Sequence, residues 1–324
     1  MKPVAFVLPF GSSSKSLLSL LLLLILPAAV QAQFTTFTTT NGTIMITEYT
    51  GPGGDVTIPS TISGLPVTSI GMLVFEQCGG LISVTIPSGV AIGLGAFNWC
   101  TGLRWVTIGT NVTILGSVSS IGSDAFADCT SLRSVRIGDS VADIGDEAFV
   151  SCTSLTGVAI GNSVTNIGES AFNYCTNLTS ITIPRSVTSI GDAAFAYCYS
   201  LTSVYFQGNA PNLGGSDVFY GYNSTTVYYL PGTTGWTSTF GGRLAVLWNP
   251  QVQTSGSSFG VRTNRFGFNI TGTANIPIVV EACTNLANGG WTTLQSCTIT
   301  NGSVYFSDPQ WTNNPARFYR LRSP

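Results

Sequence analysis

The sequence predicts a mostly β protein with short helical turns, built as a solenoid of 23-residue repeats and closed by a small β-sandwich. Three observations support this prediction. Charged residues make up 8% of the chain, against a usual quarter, while the apolar fraction of 44% is that of a folded protein. One apolar pattern returns at a nearly constant interval. The last part of the chain separates short apolar clusters by Gly, Asn, Thr and Pro, which is typical of a small antiparallel domain.

Residues 1–32 have the composition of a Sec-type signal peptide. Lys2 and Lys15 come first, an apolar run from Leu17 to Leu26 follows, and Val30-Gln31-Ala32 is the expected cleavage site. The apolar run is too short to span a bilayer, and an uncleaved anchor is the alternative. We therefore expect a mature chain that is extracellular or at the cell surface, without a transmembrane segment.

The composition excludes several classes of function. Lys2 and Lys15 are the only lysines, so the mature chain has 10 Arg against 14 acidic residues, a net charge of −4 that offers no basic surface for nucleic acid. His is absent, and with it the most common general base and metal ligand. Ser-His-Asp, Cys-His and Ser-Lys catalysis then have no basis in the mature chain. We predict a protein that is not an enzyme and holds no cofactor and no metal.

The repeat starts with an Ile-Gly pair. These pairs begin at residues 70, 92, 121, 144, 167 and 190, and each Ile is followed by Phe after five residues and by Cys after eight. The intervals are 22, 29, 23, 23 and 23 residues. Six residues are therefore added within Asn111 to Ser120, where we expect a loop.

Each unit has two halves with different periodicity. From Leu178 to Ile183 apolar and small polar residues alternate, which predicts a short strand with its isoleucines facing the core. In the other half, Ala171, Phe172 and Cys175 share one face of a predicted helical turn, and Gly168 separates the halves. One unit cannot bury its apolar side alone. Stacked units bury one continuous core, with parallel strands about 4.8 Å apart.

Units of the form IGxxAFxxCxxLxxVxIPxxV resemble BspA-like leucine-rich repeats, a class of bacterial secreted or surface proteins. The resemblance covers about residues 56–206, and residues 49–71 are similar to the repeat that caps such arrays. It implies a parallel sheet on a concave face. We divide the mature chain into an N-terminal capping repeat (33–68), the solenoid (69–206) and a degenerate C-terminal capping repeat (207–253).

The remaining residues, 254–324, are predicted to form the small β-sandwich. The segments VVEACTNL, GSVYFSDPQW and RFYRLR are similar to a short β domain found at the end of secreted bacterial proteins. That similarity says little about activity.

Cys recurs in one column of the repeat, which we predict to be a structural ladder of buried free thiols. Its members are Cys78, Cys100, Cys129, Cys152, Cys175 and Cys198. Stacked units bring their Cα atoms into bridging range, but the side chains point in parallel, so disulfides are the weaker alternative. Zinc binding is not expected, because one Cys per unit without His does not assemble four ligands. For Cys283 and Cys297, a disulfide and two free thiols are both open.

A second column holds Ser123, Asp146, Glu169 and Asp192, each directly after the Gly of the pair. We interpret these residues as helix caps, because Asp and Ser accept hydrogen bonds from free backbone N–H groups and Glu is favoured by the helix dipole. Calcium binding along this acidic edge is the alternative. One carboxylate per unit rarely supplies the six to eight oxygens that calcium requires.

The outward strand positions form the concave face, which recognises partners in leucine-rich-repeat proteins. Most of them hold Ser or Thr, and the residues able to anchor a ligand are Arg104, Trp105, Arg133, Arg136 and Tyr205. An ordinary strand surface with one exposed aromatic residue is the alternative.

The resemblance implies adhesion-type binding of an extracellular protein or glycan through this face. The alternative function is a structural component of an envelope or biofilm, in which the array is a spacer and the end of the chain attaches it. We expect a monomer with no nucleic-acid partner.

Overall fold

The computed structural model describes residues 33–109, 119–221, 224–287, 290–313 and 316–323. The predicted signal peptide lies outside these residues, as does most of the loop expected within Asn111 to Ser120. Strands dominate the described residues, and the helix found among them is the single 3₁₀ turn Trp311–Asn313. No helix in this part of the chain has the length and apolar character needed to cross a membrane.

In chain order the strands are β1 (Phe34–Thr38), β2 (Ile44–Tyr49), β3 (Gly54–Thr57), β4 (Thr61–Ile62), β5 (Leu65–Ile70), β6 (Leu81–Ile86), β7 (Ala91–Ile92), β8 (Trp105–Ile108), β9 (Ser119–Ile121), β10 (Ser134–Ile137), β11 (Val141–Ile144), β12 (Gly157–Ala159), β13 (Asn166–Ile167), β14 (Ser180–Ile183), β15 (Ser189–Ile190), β16 (Ser203–Phe206), β17 (Asn212–Leu213), β18 (Thr226–Tyr229), β19 (Thr239–Phe240), β20 (Arg243–Leu247), β21 (Gln251–Val252), β22 (Gly260–Arg262), β23 (Arg265–Thr271), β24 (Ile276–Cys283), β25 (Thr292–Ile299), β26 (Ser303–Asp308) and β27 (Phe318–Arg322).

The predicted solenoid is confirmed. Its concave sheet consists of β3, β6, β8, β10 and β12, followed by β14, β16, β18 and β20, with each strand parallel to its hydrogen-bonded neighbour. The strand pairing is interrupted between β12 and β14. Val84, Val106 and Val135 stand in register and are buried, so alternate strand residues fill the core as the alternation predicts.

The Ile-Gly pairs build a second parallel sheet. Its strands β5, β7, β9, β11, β13, β15 and β17 pair in that order. The Gly is required by the stacking of the units: a Cβ on Gly168 would lie 2.6 Å from the backbone nitrogen of Asp146 in the preceding unit. We call each unit a rung. The glycine therefore permits neighbouring rungs to approach, in addition to separating the halves of its own rung.

The Phe-containing half of each rung forms tight turns where the sequence predicts a helical turn. Ser170 and Tyr174 have left-handed φ values of 53° and 58°. The Asn173 N–H donates to Ser170 within the rung (3.0 Å), whereas the Phe172 N–H donates to Ala194 in the next rung (2.8 Å). Alternate N–H groups thus point out of the rung, which a continuous helix does not allow. These turns form a third side of the solenoid, which we call the turn edge.

A column of phenylalanine rings fills the core. Neighbouring rings are stacked with centroids 4.6–5.7 Å apart and interplanar angles of 0–14°. The members are Phe75, Phe97, Phe126, Phe149, Phe172, Phe195 and Phe219. Tyr49 covers the first ring at 4.6 Å, and the antiparallel strand β19 closes the other end against β20.

The tail, which we define as residues 251–323, is antiparallel. One sheet contains β21, β22, β23 and β26, and the other contains β24, β25 and β27. Their apolar side chains, including Phe268, Ile278 and Phe306, share one cluster with Tyr205 and Tyr228 of the concave sheet. The tail therefore packs against the last strands of that sheet.

Two buried carboxylates organise the tail. Glu281 accepts from Arg322 Nε at 2.6 Å and from Arg320 Nη2 at 2.7 Å, and Asp308 pairs with Arg317 Nε at 2.9 Å. Burial would raise the pKa of the Glu281 carboxyl, but hydrogen bonds and charge from Arg322 and Arg320 outweigh it and lower that pKa.

Candidate binding surface

Trp105 lies in the middle of the first part of the concave sheet. On β8 its backbone is paired with Ser83 on one side and Ser134 on the other, and its side chain is 46% exposed. Arg136 follows Ser134 by two residues on β10 and faces the same side, beside Thr107. Trp105 and Arg136 are thus diagonal neighbours on adjacent strands, within reach of one ligand.

Two further arginines precede these strands. Arg104 and Arg133 are exposed, and the Arg133 N–H donates to the Arg104 carbonyl at 2.9 Å, which places them side by side. Across the described ranges, no ion pair joins Arg104, Arg133 or Arg136 to a carboxylate. We call Arg104, Trp105, Arg133 and Arg136 the tryptophan–arginine patch. It offers one aromatic ring and three cations to a partner.

A shallow cleft of about 360 Å³ opens beside Arg136, where the strands end in glycines. A Cβ on Gly161 would lie 2.5 Å from the backbone of Gly138, so these rungs touch without side chains between them. Asp139 and Asn162 line the same cleft, and Asp139 Oδ1 accepts the Asn162 N–H at 2.6 Å. The patch therefore has a recess at its edge.

Tyr205 does not belong to the exposed face, contrary to expectation. Its side chain is 5% exposed, stacks on Tyr228 at 5.0 Å and packs with the tail cluster. The pKa of the Tyr205 hydroxyl is raised to about 12, mainly because of this burial and to a smaller extent because of the neighbouring Tyr228. The concave sheet consequently has a free part, β3 to β12, and a part covered by the tail, β16 to β20.

Two members of the second column, Asp146 and Asp192, link rungs, whereas the sequence suggested helix caps. Asp146 Oδ1 accepts the N–H of Glu169 in the next rung at 2.8 Å, and Asp192 Oδ1 accepts the N–H of Asp217 at 3.0 Å. These two side chains accept backbone N–H groups as the interpretation requires, but the N–H groups belong to the following rung. Within the part of the chain that the structure describes, no three acidic, Cys or His side chains converge as metal ligands would.

The cysteine column follows the phenylalanine column. None of the six cysteines forms a disulfide in the part of the chain that the structure describes; Cys78 is half-buried and the others are buried. The Cys175 thiol donates to the Phe149 carbonyl of the preceding rung at 3.3 Å, and the other buried members repeat this contact. Burial raises the pKa of the Cys152, Cys175 and Cys198 thiols, so these members of the column do not supply a reactive thiolate.

A bridge between Cys283 and Cys297 is excluded by register. Cys297 lies opposite Ile278 on β24, five residues from Cys283, which lies opposite Phe318 on β27. Five residues of a strand span about 17 Å, far beyond the reach of a disulfide. Both thiols are free.

Sequence reasoning missed a group of aromatic side chains on the turn edge. Tyr174, Tyr199 and Tyr220 are 41%, 48% and 54% exposed, and Tyr197 lies among them. Two Tyr residues in equivalent positions of successive rungs, 174 and 197, were the signal in the sequence that could have revealed this group.

Comparison with known proteins identifies the repeat. The family described as BspA type leucine rich repeat region matches residues 68–117 and 110–226, with six copies. Similar solved structures include a leucine-rich-repeat protein of T. pallidum, 29% identical over 61% of this chain and 84% of that chain, with a TM-score of 0.39. Another is a leucine-rich cell surface protein of Faecalibacterium prausnitzii, 20% identical over 61% and 93%, with a TM-score of 0.32. A leucine-rich-repeat protein of Bacteroides ovatus is 26% identical over 61% and 70%, with a TM-score of 0.33. No curated protein matches this chain.

Proposed function

We propose that this chain, whose residues 68–226 match the BspA type leucine rich repeat region, is an exported adhesion-type binding module of the cell surface or extracellular space. It binds an extracellular protein or glycan through the free part of its concave sheet. The observation that carries the proposal is the tryptophan–arginine patch, formed by β8, β10 and the residue that precedes each of them. We propose no catalytic activity and no cofactor for it.

The patch has the chemistry of an anchor for a partner. Aromatic and Arg side chains contribute most of the binding energy at protein interfaces, and here Trp105 and Arg136 stand on strands that are paired on both sides. The surrounding outward positions hold small hydroxyl side chains such as Ser83, Thr85 and Ser134, which allow close approach. A rigid, low-relief surface of this kind loses little conformational entropy on binding.

The charge of the patch indicates the partner. The mature chain is acidic, yet Arg104, Arg133 and Arg136 gather three of its 10 arginines on two neighbouring rungs. With no carboxylate paired to them in the described residues, these guanidinium groups are available for the carboxylate, sulfate or phosphate groups of a partner. We therefore propose an acidic protein segment or an acidic glycan as the ligand, bound more weakly at high salt.

The test is binding of the purified mature chain to an array of matrix proteins and of acidic and neutral glycans. The Trp105→Ala/Arg136→Ala variant should lose at least about tenfold in affinity for the acidic ligand found. Arg185→Ala, which removes an exposed Arg outside the patch, is the matched control for the loss of one charge. Unchanged binding by the double variant would refute the assignment of the concave face.

The structural alternative predicts a different result. A component of an envelope or biofilm would self-associate or fractionate with the envelope, and removal of the tail would release it. A soluble monomer that binds nothing on the array and does not fractionate with the envelope would contradict both functions.

A further inference from the structure

The tyrosines of the turn edge form a second exposed surface, distinct from the concave sheet. Tyr174 and Tyr197 stack with their centroids 4.5 Å apart and an interplanar angle of 13°. Tyr199 and Tyr220 meet Tyr197 edge-on, at 6.1 Å and 67° and at 5.4 Å and 81°. We call these four residues the tyrosine cluster. The two edge-on rings are turned away from the plane of the stack, and about half of each is exposed to solvent.

The cluster departs from the repeat. Residues required for rung stacking recur along the array, with Phe in seven successive rungs and Cys in six, whereas Tyr199 stands where the preceding rungs have Thr at 101, 130, 153 and 176. Gly221 takes the place that Tyr197 has one rung earlier, and a Cβ at Gly221 would lie 3.3 Å from the Tyr197 Cα. That missing side chain leaves room for Tyr220 to meet the Tyr197 ring on its edge. The solenoid itself therefore does not require Tyr199 and Tyr220.

The backbone fixes the cluster in place. The Tyr197 N–H donates to the Tyr220 carbonyl at 2.7 Å. Arg243 Nη2 donates to the Gly221 carbonyl at 3.1 Å and also to the Phe219 carbonyl, so this guanidinium supports the segment from behind. Preformed aromatic surfaces bind ligands without the entropic cost of ordering a loop.

We infer that the tyrosine cluster is a binding site for a neutral polysaccharide. The faces of aromatic rings carry partial negative charge and attract the weakly positive C–H groups on the face of a sugar ring, while the tyrosine hydroxyls donate to and accept from the sugar hydroxyls. Rings at two orientations, spread over three rungs, can contact more than one sugar unit of a chain. This site adds to the proposed concave-face function and does not depend on it.

The surroundings of the cluster favour a sugar over a protein or an anion. Between residues 106 and 243, Tyr174, Tyr199 and Tyr220 are the exposed large hydrophobic side chains that the structure describes, so no aliphatic side chains extend the surface into an apolar protein interface. The pKa of the Tyr197 hydroxyl is raised, mainly by desolvation and next by the neighbouring tyrosines. The Asp217 carboxylate also lies close enough to contribute to this increase. A carboxylate at the rim repels anionic ligands and accepts hydrogen bonds from sugar hydroxyls.

The experiment measures retardation of the full mature chain in native gels that contain laminarin, hydroxyethylcellulose or xylan, with heparin and polygalacturonate as anionic probes. At least one neutral polysaccharide should retard the chain, and Tyr199→Ala/Tyr220→Ala should weaken that retardation at least about tenfold. Tyr305→Ala, which removes an exposed tyrosine of the tail, and Trp105→Ala/Arg136→Ala should both leave it unchanged.

The Tyr199→Phe/Tyr220→Phe variant keeps the aromatic rings and removes only the hydroxyls. It should retain most of the binding, and its melting temperature should equal that of the parent chain. It therefore distinguishes a loss of ring stacking from a folding defect. The inference is overturned if no neutral polysaccharide retards the chain, or if the Tyr→Ala variant is retarded as strongly as the parent. It is also overturned if the Tyr→Ala variant loses binding only to a matrix protein, which would make the cluster a protein-docking surface. If a neutral polysaccharide retards the chain but Trp105→Ala/Arg136→Ala leaves binding of the acidic ligand unchanged, only the function proposed above is refuted and this site stands.

Discussion

The solenoid and the tail are both β structures, yet different forces hold them together. In the described residues every ion pair lies in the tail, where arginines hold Glu281 and Asp308. The solenoid repeats one set of contacts between neighbouring rungs: the ring stack, the glycine approach at positions such as 168, and hydrogen bonds on three sides. Each rung depends on its neighbours, whereas the tail depends on a few residues used once.

Because of this difference, a destabilising substitution has different consequences in the two regions. A defect in one rung weakens the interface to both neighbours, and no residue elsewhere compensates for it. A defect at a tail carboxylate removes one network and leaves the rung contacts intact. The free thiols allow the two regions to be followed separately, because Cys152 and Cys175 report opening of the solenoid and Cys283 reports opening of the tail.

The largest effect is expected for Phe149→Ala, at the middle of the ring stack. Phe149 is fully buried between Phe126 and Phe172, with both centroids 5.2 Å away. Its removal leaves a cavity that adjacent rungs cannot close, so the free energy of unfolding should fall by about 3–5 kcal/mol. Thiol labelling with a pyridyl disulfide in increasing urea should show earlier reaction of Cys152. Unchanged labelling would contradict a solenoid held by this stack.

Gly168→Ala should have the next largest effect. The added methyl group would lie 2.6 Å from the Asp146 nitrogen and meet the backbone of Gly145, so the two rungs must separate. We expect a loss of about 1–3 kcal/mol, since overpacking forces backbone shifts. Gly290→Ala in the tail, where a Cβ meets nothing within 4 Å, is the matched control and should leave the urea midpoint unchanged. Equal midpoints for both variants would show that the glycine column does not limit rung spacing.

Glu281→Gln should weaken the tail and leave the solenoid as it is. The substitution leaves Arg320 and Arg322 without their carboxylate, but these side chains are 46% and 43% exposed and become hydrated. Solvent screening therefore limits the loss to about 1 kcal/mol. Labelling of Cys283 should shift to lower urea while that of Cys175 does not. A parallel shift of both thiols would mean that tail and solenoid unfold together.

Lowering the pH should destabilise the tail and stabilise the solenoid. The Glu281 pKa is lowered, so its contribution is complete above the ordinary carboxyl value of about 4.3 and disappears as the pH falls through the lower folded value. Partial burial, and then repulsion from Asp124, raise the pKa of the Asp128 and Glu147 carboxyls, so the folded solenoid gains stability as they become protonated. We therefore expect that lowering the pH from 6 to 3 lowers the urea concentration at which Cys283 reacts with a pyridyl disulfide, relative to that for Cys175. A shift of Cys175 to lower urea relative to Cys283 would contradict the two pKa directions.

Asp146→Ala is the smallest of these perturbations. It removes the acceptor for the Glu169 N–H of the next rung but leaves that group near solvent, so a loss of about 1 kcal/mol is expected. Asp146→Asn keeps an oxygen acceptor and should recover most of the loss. Failure of Asn to do better than Ala in urea unfolding would show that the hydrogen bond does not link the rungs.

The repeat pattern predicted the solenoid because identical residues must meet when units stack, so columns in the sequence become columns in space. It did not predict the tight turns at Ser170 and Tyr174, because the apolar spacing of that half fits either a helical turn or turns that hydrogen-bond to the next rung. For the candidate site, Trp105 and Arg136 lie exposed as the strand alternation predicts, and Arg104 and Arg133 lie exposed directly before β8 and β10. Tyr205 does not, because nothing in one sequence shows onto which face the tail packs.

The rung also acts as a unit of length. The N-terminal hairpin of β1 and β2 lies at one end, and the tail packs on the concave sheet near the other end, so the number of rungs between them sets how far apart they are held. Deleting or duplicating one 23-residue unit, for example residues 144–166, would shift everything beyond it by about 4.8 Å and leave the geometry of both ends unaltered. Spacing between surfaces in this molecule can therefore be changed in discrete steps, by the gain or loss of whole repeats, without redesign of either end.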